Sequence, residues 1–386
     1  MQTSTMTIGI GSGIITGAEG KTTAEMQVKS TFIDAGWDFV GETANGTKQT
    51  WQIPVGGGYP VLSVLNGYVP VVLSGDGSLD NPYLIGDAND LGAVIYYDYS
   101  SCYKLTADID LSGTQWQFAI IPLFAGHFDG SGYIISNMKI DGGSYLGLFG
   151  KLRNRGVATN IGLENSSVNG SGDYVGSLVA YNHGNIISCY STGVVTGDRD
   201  VGGLVGVNDY FGSITSSYST GEVAGLSRVG GLVGVSYYIG SITSSYSTGM
   251  ATGNYDVGGL VGFNYYGSIT SSYSTGSVTG SDDVGGLIGN NRGSSVTICF
   301  WDRQTSTMTI GIGSGTTTGA EGKTTIEMQT ESTFIDTGWD FVSTWDIGEN
   351  QTYPYLRVYL AGDLNYDNSV DFFDFAIIAN NWLGEK

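Results

Sequence analysis

The chain has 386 residues, 63 of them Gly and 6 Pro, with 13% charged residues and a formal net charge of -21. Fifteen Lys and Arg against 36 Asp and Glu argue against nucleic acid and anionic bilayer surfaces as partners, since both reward basic side chains. A Gly-rich, weakly charged composition suits turn-dense β structure rather than helix or disordered chain, and without a run of about 18 apolar residues no membrane-spanning helix is expected.

The first segment is a duplicate. Residues 2–40 repeat residues 304–342 with 33 of 39 positions identical, and the likeness continues more loosely to Tyr59-Pro60 against Tyr353-Pro354. Residues 1–62 therefore read as a partial copy of a capping module, and the chain as a piece of a longer tandem array. The opening MQTSTMTIGI has neither a basic n-region nor an apolar h-region, so any export signal is expected upstream. Thr22 and Glu25 stand at capping-box spacing and predict a short helix. Residues 63–74 read as a linker.

From residue 75 to 303 the chain is a repeat. The sequence V-G-G-L-V-G begins at Val201, Val229, Val257 and Val284, spacings of 28, 28 and 27 residues, with a looser copy at Val175. Self-similarity at this period is the mark of a solenoid, whose coils bury their apolar side only by stacking. Alternation in Ser213 to Tyr218 places Ile214, Ser216 and Tyr218 on one face of a strand. Residues 201–208 and 222–224 predict two more strands, separated by Phe211-Gly212 and Thr220-Gly221 turns. Three strands and three turns per coil describe an all-β fold, a right-handed parallel β-helix of triangular section, with small mixed capping segments and a short C-terminal module. Its coils would sit about 4.8 Å apart.

Equivalent positions should stack into ladders. Ile186, Ile214, Ile242, Ile269 and Val296 form one column, and Tyr190, Tyr218, Tyr246, Tyr273 and Phe300 another. Leu178, Leu204, Leu232, Leu260 and Leu287 form a third, and Asn182, Asn208, Ser236, Asn264 and Asn291 an amide column able to hydrogen-bond from coil to coil. All four are expected to be core. Cys189 and Cys299 occupy the Ser217 position four coils apart, roughly 19 Å and beyond disulfide reach. Both are expected as thiols, and Cys102 has no obvious partner. Asp200, Asp256 and Asp283, interrupted by Arg228, should stack as a solvated corner before V-G-G. The two histidines, His127 and His183, lie in no metal-binding or triad spacing. Outward positions are Ser, Thr, Gly and Tyr, so no catalytic residue is assigned.

Residues 304–360 read as a capping module covering the end of the solenoid. Thr324 and Glu327 repeat the capping-box spacing, and Trp339 and Trp345 are expected in its core rather than as sugar platforms. In residues 361–386, Asp363, Asn365, Asp367, Asp371 and Asp374 stand at positions 1, 3, 5, 9 and 12 of a loop, with the Ser369 carbonyl at position 7. That pattern supplies the oxygen ligands of Ca²⁺. Asn368 takes the sharp turn at position 6, and a helix over 372–382 follows.

The V-G-G-L-V-G repeats, the segment Gly75-Asp76-Gly77-Ser78-Leu79-Asp80-Asn81-Pro82-Tyr83, the Phe128-Asp129-Gly130 signpost and the closing Cys299-Phe300-Trp301-Asp302 resemble bacterial surface proteins with GLUG repeats. The likeness covers residues 75–357 and the copy at 1–62. It implies the β-helix, and an extracellular or cell-surface location, but no specific activity. The terminal loop and helix resemble half of a type I dockerin, which implies Ca²⁺ binding and a cohesin-like partner at the C-terminus. A single unit, with Phe372 and Phe373 at loop positions 10 and 11, departs from the dockerin pattern. The chain reads as a non-enzymatic adhesive or spacer module, with carbohydrate as a candidate ligand and a Ca²⁺-ordered tether. A filament subunit associating head to tail and a carbohydrate-active β-helix enzyme are the competing readings.

Overall fold

The computed structural model describes residues 21–22, 24–37, 51–52, 60–62 and 71–357. The chain divides into two compact units, Met1–Val71 and Val72–Lys386. The expected calcium loop lies outside the described residues, as does most of the expected linker.

The second unit is a parallel β-solenoid of about eight turns, built from sheets of 14, 9, 8 and 5 strands. A representative coil runs Arg199–Gly202, Val205–Asn208, Ser213–Thr215, Tyr218–Ser219 and Glu222–Ala224. The first strand belongs to a corner sheet, the second to an amide sheet and the third to an isoleucine sheet; the last two share a tyrosine sheet. Each coil pairs in register with the next, through Val201 with Val229, Asn208 with Ser236, Ile214 with Ile242 and Tyr218 with Tyr246. The expected single strand over 201–208 is thus two strands in different sheets, and the one over 213–218 is likewise split. Ser216 causes the second break: its φ of 48° is left-handed, which ends the extended run.

The glycines of V-G-G-L-V-G have a steric reason. A Cβ on Gly202 would lie 2.0 Å from the Val205 carbonyl oxygen, and one on Gly234 would lie 2.5 Å from the Val201 nitrogen. On Gly203 it would meet Ser219 Oγ at 2.2 Å and the Gly231 carbonyl oxygen at 2.3 Å. Corner and amide strands therefore approach backbone to backbone, a distance that only Gly allows. Side chains between these glycines fill the interior: the leucine column Leu178 to Leu287 and the isoleucine column are buried throughout. Cys189 and Cys299 are buried thiols, and burial pushes each up to about 12.

The amide column is buried as well. Asn182 Nδ2 donates to Asn208 Oδ1 at 2.8 Å, and Asn264 Nδ2 donates to Asn291 Oδ1 at 3.0 Å. Ser236 interrupts the row, leaving its own Oγ and Asn264 Oδ1 without a partner.

The tyrosine column differs from the sequence expectation. Ser217 and Ser219 are fully buried, and Ser217 Oγ donates to the Thr215 carbonyl, so the left-handed Ser216 turns the serines inward and Tyr218 between them outward. The rings stack nearly parallel on the outer face, Tyr190 on Tyr218 at 5.0 Å, Tyr218 on Tyr246 at 4.7 Å and Tyr246 on Tyr273 at 5.0 Å.

Helical segments flank the strands at both ends of the second unit. At the first coil, helix Ala88–Ala93 is capped by Asp87, whose carboxylate accepts from Asn89 and Asp90 N–H; it buries Leu91 and Ala93. Past residue 303 the sheets continue through strands Ile312–Gly315 and Ala320–Lys323. Residues 324–357 then fold back against the side of the solenoid. Met328, Phe334, Trp339 and Trp345 form one core with Tyr246, Tyr273 and Phe300, so the module covers the outer ladder rather than the open end. Trp339 Nε1 donates to the Ile298 carbonyl at 3.0 Å. Buried Asp302 accepts from Thr325 Oγ1 and Tyr353 OH, each at 2.8 Å. The expected capping box at Thr324 and Glu327 is present.

In the first unit, Thr22 and Glu25 make the same reciprocal contacts. Helix Lys29–Ile33 follows, and Trp51–Gln52 pairs antiparallel with Val61–Leu62.

Two substitutions test this packing. Gly234→Ala should destabilise the solenoid by roughly 1–3 kcal/mol or more, the range for overpacking against a neighbour that cannot yield. Ser236→Asn should add about 0.5–1.5 kcal/mol by completing the amide row. Denaturant unfolding measures both, and opposite signs are the expected outcome.

Candidate binding face

From residue 213 onward the outward positions of the isoleucine sheet repeat Ser and Thr from coil to coil, as in Ser213, Thr215, Ser241 and Thr243. One face does not repeat. Along the amide sheet, register aligns Lys151, Tyr181, Val207, Val235, Phe263 and Asn290. Beside it runs the corner column Tyr174, Asp200, Arg228, Asp256 and Asp283, every member left-handed with φ between 52° and 64°.

The two columns converge. Arg228 Nη1 donates to Asp200 Oδ1 at 3.1 Å, and its guanidinium lies 5.4 Å from the Phe263 ring centroid, with Arg292 at 5.8 Å from the same ring. Asn290 Nδ2 bridges Asp256 Oδ1 at 2.9 Å and Asp283 Oδ2 at 2.8 Å. Arg228, Asp256, Phe263, Asn290 and Arg292 line a cleft of about 220 Å³. The corner acids were expected to be solvated, yet Asp200 is only 4% exposed. Burial raises its carboxyl above the ordinary value against the pull of Arg228, and burial raises Asp256 likewise.

At the other end of the face, Tyr181 OH donates to Asp209 Oδ2 at 2.7 Å. His183 Nε2 stands 3.7 Å from the same oxygen, and Lys151 Nζ lies 4.9 Å from the Tyr181 ring centroid. Burial lowers the His183 pKa, so its ring is neutral at pH 7. Tyr145 and Tyr174 extend this aromatic group at 4.7 Å. The turns leading to the isoleucine sheet add an exposed edge of Tyr210, Phe211, Tyr238, Ile239 and Tyr266, with Phe211 68% exposed.

Aromatic faces, guanidinium groups, carboxylates and an amide on one rigid surface are the means by which proteins hold polar ligands with apolar faces. The other histidine, His127, lies in strand His127–Asp129 of the isoleucine sheet. Among the described residues no group of three or more His, Cys, Asp or Glu could hold a metal ion. The candidate ligands Asp363, Asn365, Asp367, Ser369, Asp371 and Asp374 lie outside the described residues. Sequence reasoning found the corner column but missed Phe263, Asn290 and Arg292. The available signal was their departure from Val and Tyr at equivalent places in neighbouring coils.

Comparison with known proteins agrees with the architecture. The GLUG motif matches residues 197–224, 225–252 and 253–279. Halomucin of Haloquadratum walsbyi is 39% identical over 159 residues, 36% of this chain and 2% of that protein. A provisionally named Gly-rich membrane protein of Evansella cellulosilytica is 33% identical over 131 residues, 30% of this chain and 15% of its own length. The matched stretches are thus small parts of both relatives. A solved structure from Bacteroides ovatus, provisionally named an immunoglobulin A1 protease, superposes with a TM-score of 0.59 at 24% identity, covering 73% of this chain and 94% of that one. At that identity the likeness shows the β-solenoid fold alone.

The buried Asp200–Arg228 pair makes a pH prediction. The folded-state carboxyl of Asp200 lies above its unfolded value, so the native state holds the proton more tightly. Ionising it costs stability as pH rises through the window between the two values, and the cost vanishes below the unfolded pKa. Arg228→Gln should widen that window and destabilise by roughly 2–3 kcal/mol at pH 7, because a buried carboxylate loses its partner. Little loss is expected near pH 3, and equal losses at both pH values would show that Arg228 does not offset the Asp200 charge.

Proposed function

We propose that this chain is a non-enzymatic, surface-displayed β-solenoid that serves as a rigid spacer and carries one adhesive face. The observation that carries the reading is the division of its surface. From Ser213 to Thr297 the outward positions of the isoleucine sheet repeat Ser and Thr, while over the same coils the face around Arg228, Phe263 and Asn290 changes chemistry. Likeness to halomucin and to a Gly-rich membrane protein supports an extracellular or cell-surface place. Carbohydrate is the ligand class that fits: exposed rings offer stacking surfaces, and Asp, Asn and Arg offer paired hydrogen bonds to hydroxyls. The test is glycan-array binding of the whole chain against Phe263→Ala. Binding weakened by more than about tenfold supports the reading, whereas unchanged binding, or turnover of any bound glycan, contradicts it.

The C-terminal segment 361–386 is proposed as a Ca²⁺-ordered tether, on the oxygen pattern of Asp363, Asn365, Asp367, Ser369, Asp371 and Asp374. Docking to a cohesin-like partner is the finer form of this proposal. Since metal affinity is folding free energy for a loop whose ligands must be brought together, calorimetry should show one Ca²⁺ per chain. The double substitution Asp363→Ala with Asp367→Ala should abolish the heat, and heat identical to that of the unsubstituted chain would remove the claim.

A further inference from the structure

The cleft at Phe263 is one end of a longer feature. Ring contacts lead away from it coil by coil, from Phe263 to Tyr237 at 5.8 Å, Tyr237 to Tyr238 at 5.9 Å, Tyr238 to Tyr210 at 5.8 Å, Tyr210 to His183 at 5.8 Å and His183 to Tyr181 at 5.0 Å. Tyr174 and Tyr145 carry the series one coil further, at 5.6 and 4.7 Å. In the amide sheet these rings accompany the strands from Phe149–Leu152 to Val261–Tyr265, four steps apart, or about 19 Å along the axis. The result is an unbroken aromatic track running lengthwise.

Backbone geometry shows that the track is more than a by-product of packing. Tyr145, Tyr174, Tyr210, Tyr238 and Tyr266 all take left-handed turn positions, with φ between 33° and 64°. A bulky side chain is disfavoured there, and Gly or Asn would make the same turn at lower cost. Burial does not offset that strain, since Tyr145, Tyr210, Tyr238 and Tyr266 are between 45% and 57% exposed. Strain kept at exposed aromatic positions in successive coils points to a ligand surface.

The shape and charge of the track select the ligand. Hydrogen-bonding groups flank the rings at both ends, Asp209 and His183 near Tyr181 and Asp256 and Asn290 near Phe263. A strip one or two rings wide and about 19 Å long falls short of the about 800 Å² that each partner gives to a stable protein interface. It suits a linear chain instead, and the coil step of about 4.8 Å is close to the length of one extended pyranose residue. The formal charge of -21 opposes a polyanion. Arg228 and Arg292 are already engaged by Asp200, Phe263 and Asn290.

Building on the carbohydrate reading of the Phe263 face, we propose that a linear, neutral polysaccharide lies along this track, parallel to the solenoid axis, with successive sugar rings on successive coils. Titration calorimetry of the full chain with β-1,4-linked gluco-, manno- and xylo-oligosaccharides of one to six residues tests it, with oligogalacturonates of matching length as the charged control. In at least one neutral series, affinity should rise more than about tenfold from two residues to five, because linked units engage successive rings. Tyr210→Gly should retain the circular dichroism of the solenoid, since Gly suits a φ of 43° without strain, and should abolish the gain beyond two residues. Phe263→Ala should weaken short and long oligosaccharides alike. Length-independent binding that Phe263→Ala abolishes, a length gain that survives Tyr210→Gly, or tighter binding of the oligogalacturonates would overturn the track and leave the carbohydrate reading standing. Binding on a glycan array with none to any linear neutral series would do the same, whereas absence of binding on both would overturn the two together.

Discussion

The contact on which everything else rests is the one between corner and amide strands, where no side chain intervenes. Gly202 and Gly206 in one coil, and Gly230 and Gly234 in the next, let carbonyl oxygens and amide nitrogens pass at distances a Cβ would forbid. Once those backbones meet, the chain must fold back within a few residues. Leu204 and its equivalents then point into the only apolar space left. Parallel pairing of each coil with the next fixes the remaining sheets in register, so a motif of six residues sets the cross-section of the whole solenoid.

That constraint explains which parts of the fold were legible. Columns whose identity repeats, such as Ile186 to Val296 and Leu178 to Leu287, were readable because stacking forces like onto like. The strand count was not readable, because Ser216 and the Gly203-Leu204 turn interrupt segments whose alternation looks continuous. A non-Gly residue at φ 48° leaves little trace in a Ser-rich sequence. The same kink reversed the tyrosine ladder: Tyr218 belongs to the outer surface and Ser217 and Ser219 to the interior. Helix Ala88–Ala93 carries an ordinary N-cap signal, Asp87 ahead of Asp90 and Leu91, in a stretch too short to show a helical apolar period.

The outer surface divides by function in consequence. The tyrosine face is an internal docking strip, used by residues 324–357 through Tyr246, Tyr273 and Phe300. The isoleucine face repeats Ser and Thr over its last four coils. The amide and corner columns combine aromatic, cationic and anionic groups, and there burial shifts Asp200, Asp256 and His183 from their ordinary values. Such shifts mark functional surfaces as well as structural ion pairs. The sequence showed the acids of that face but not their partners, because Phe263 and Asn290 acquire meaning only through the register that sets them beside Arg228 and Asp256.

The central claim is that coils are interchangeable units held by backbone register and glycine contact. Excising residues 225–252, one whole coil by the motif boundaries, together with Asp200→Asn so that the loss of Arg228 leaves no buried carboxylate unpaired, tests it most directly. The join brings the coil ending at Ala224 onto the one beginning at Gly253, preserves every column and leaves three rungs, Tyr218, Tyr273 and Phe300, under residues 324–357. The shortened chain should unfold cooperatively, with unchanged far-ultraviolet circular dichroism per residue and buried-tryptophan fluorescence. A molten or aggregated product would contradict the account, since it would mean that stability depends on contacts particular to that coil.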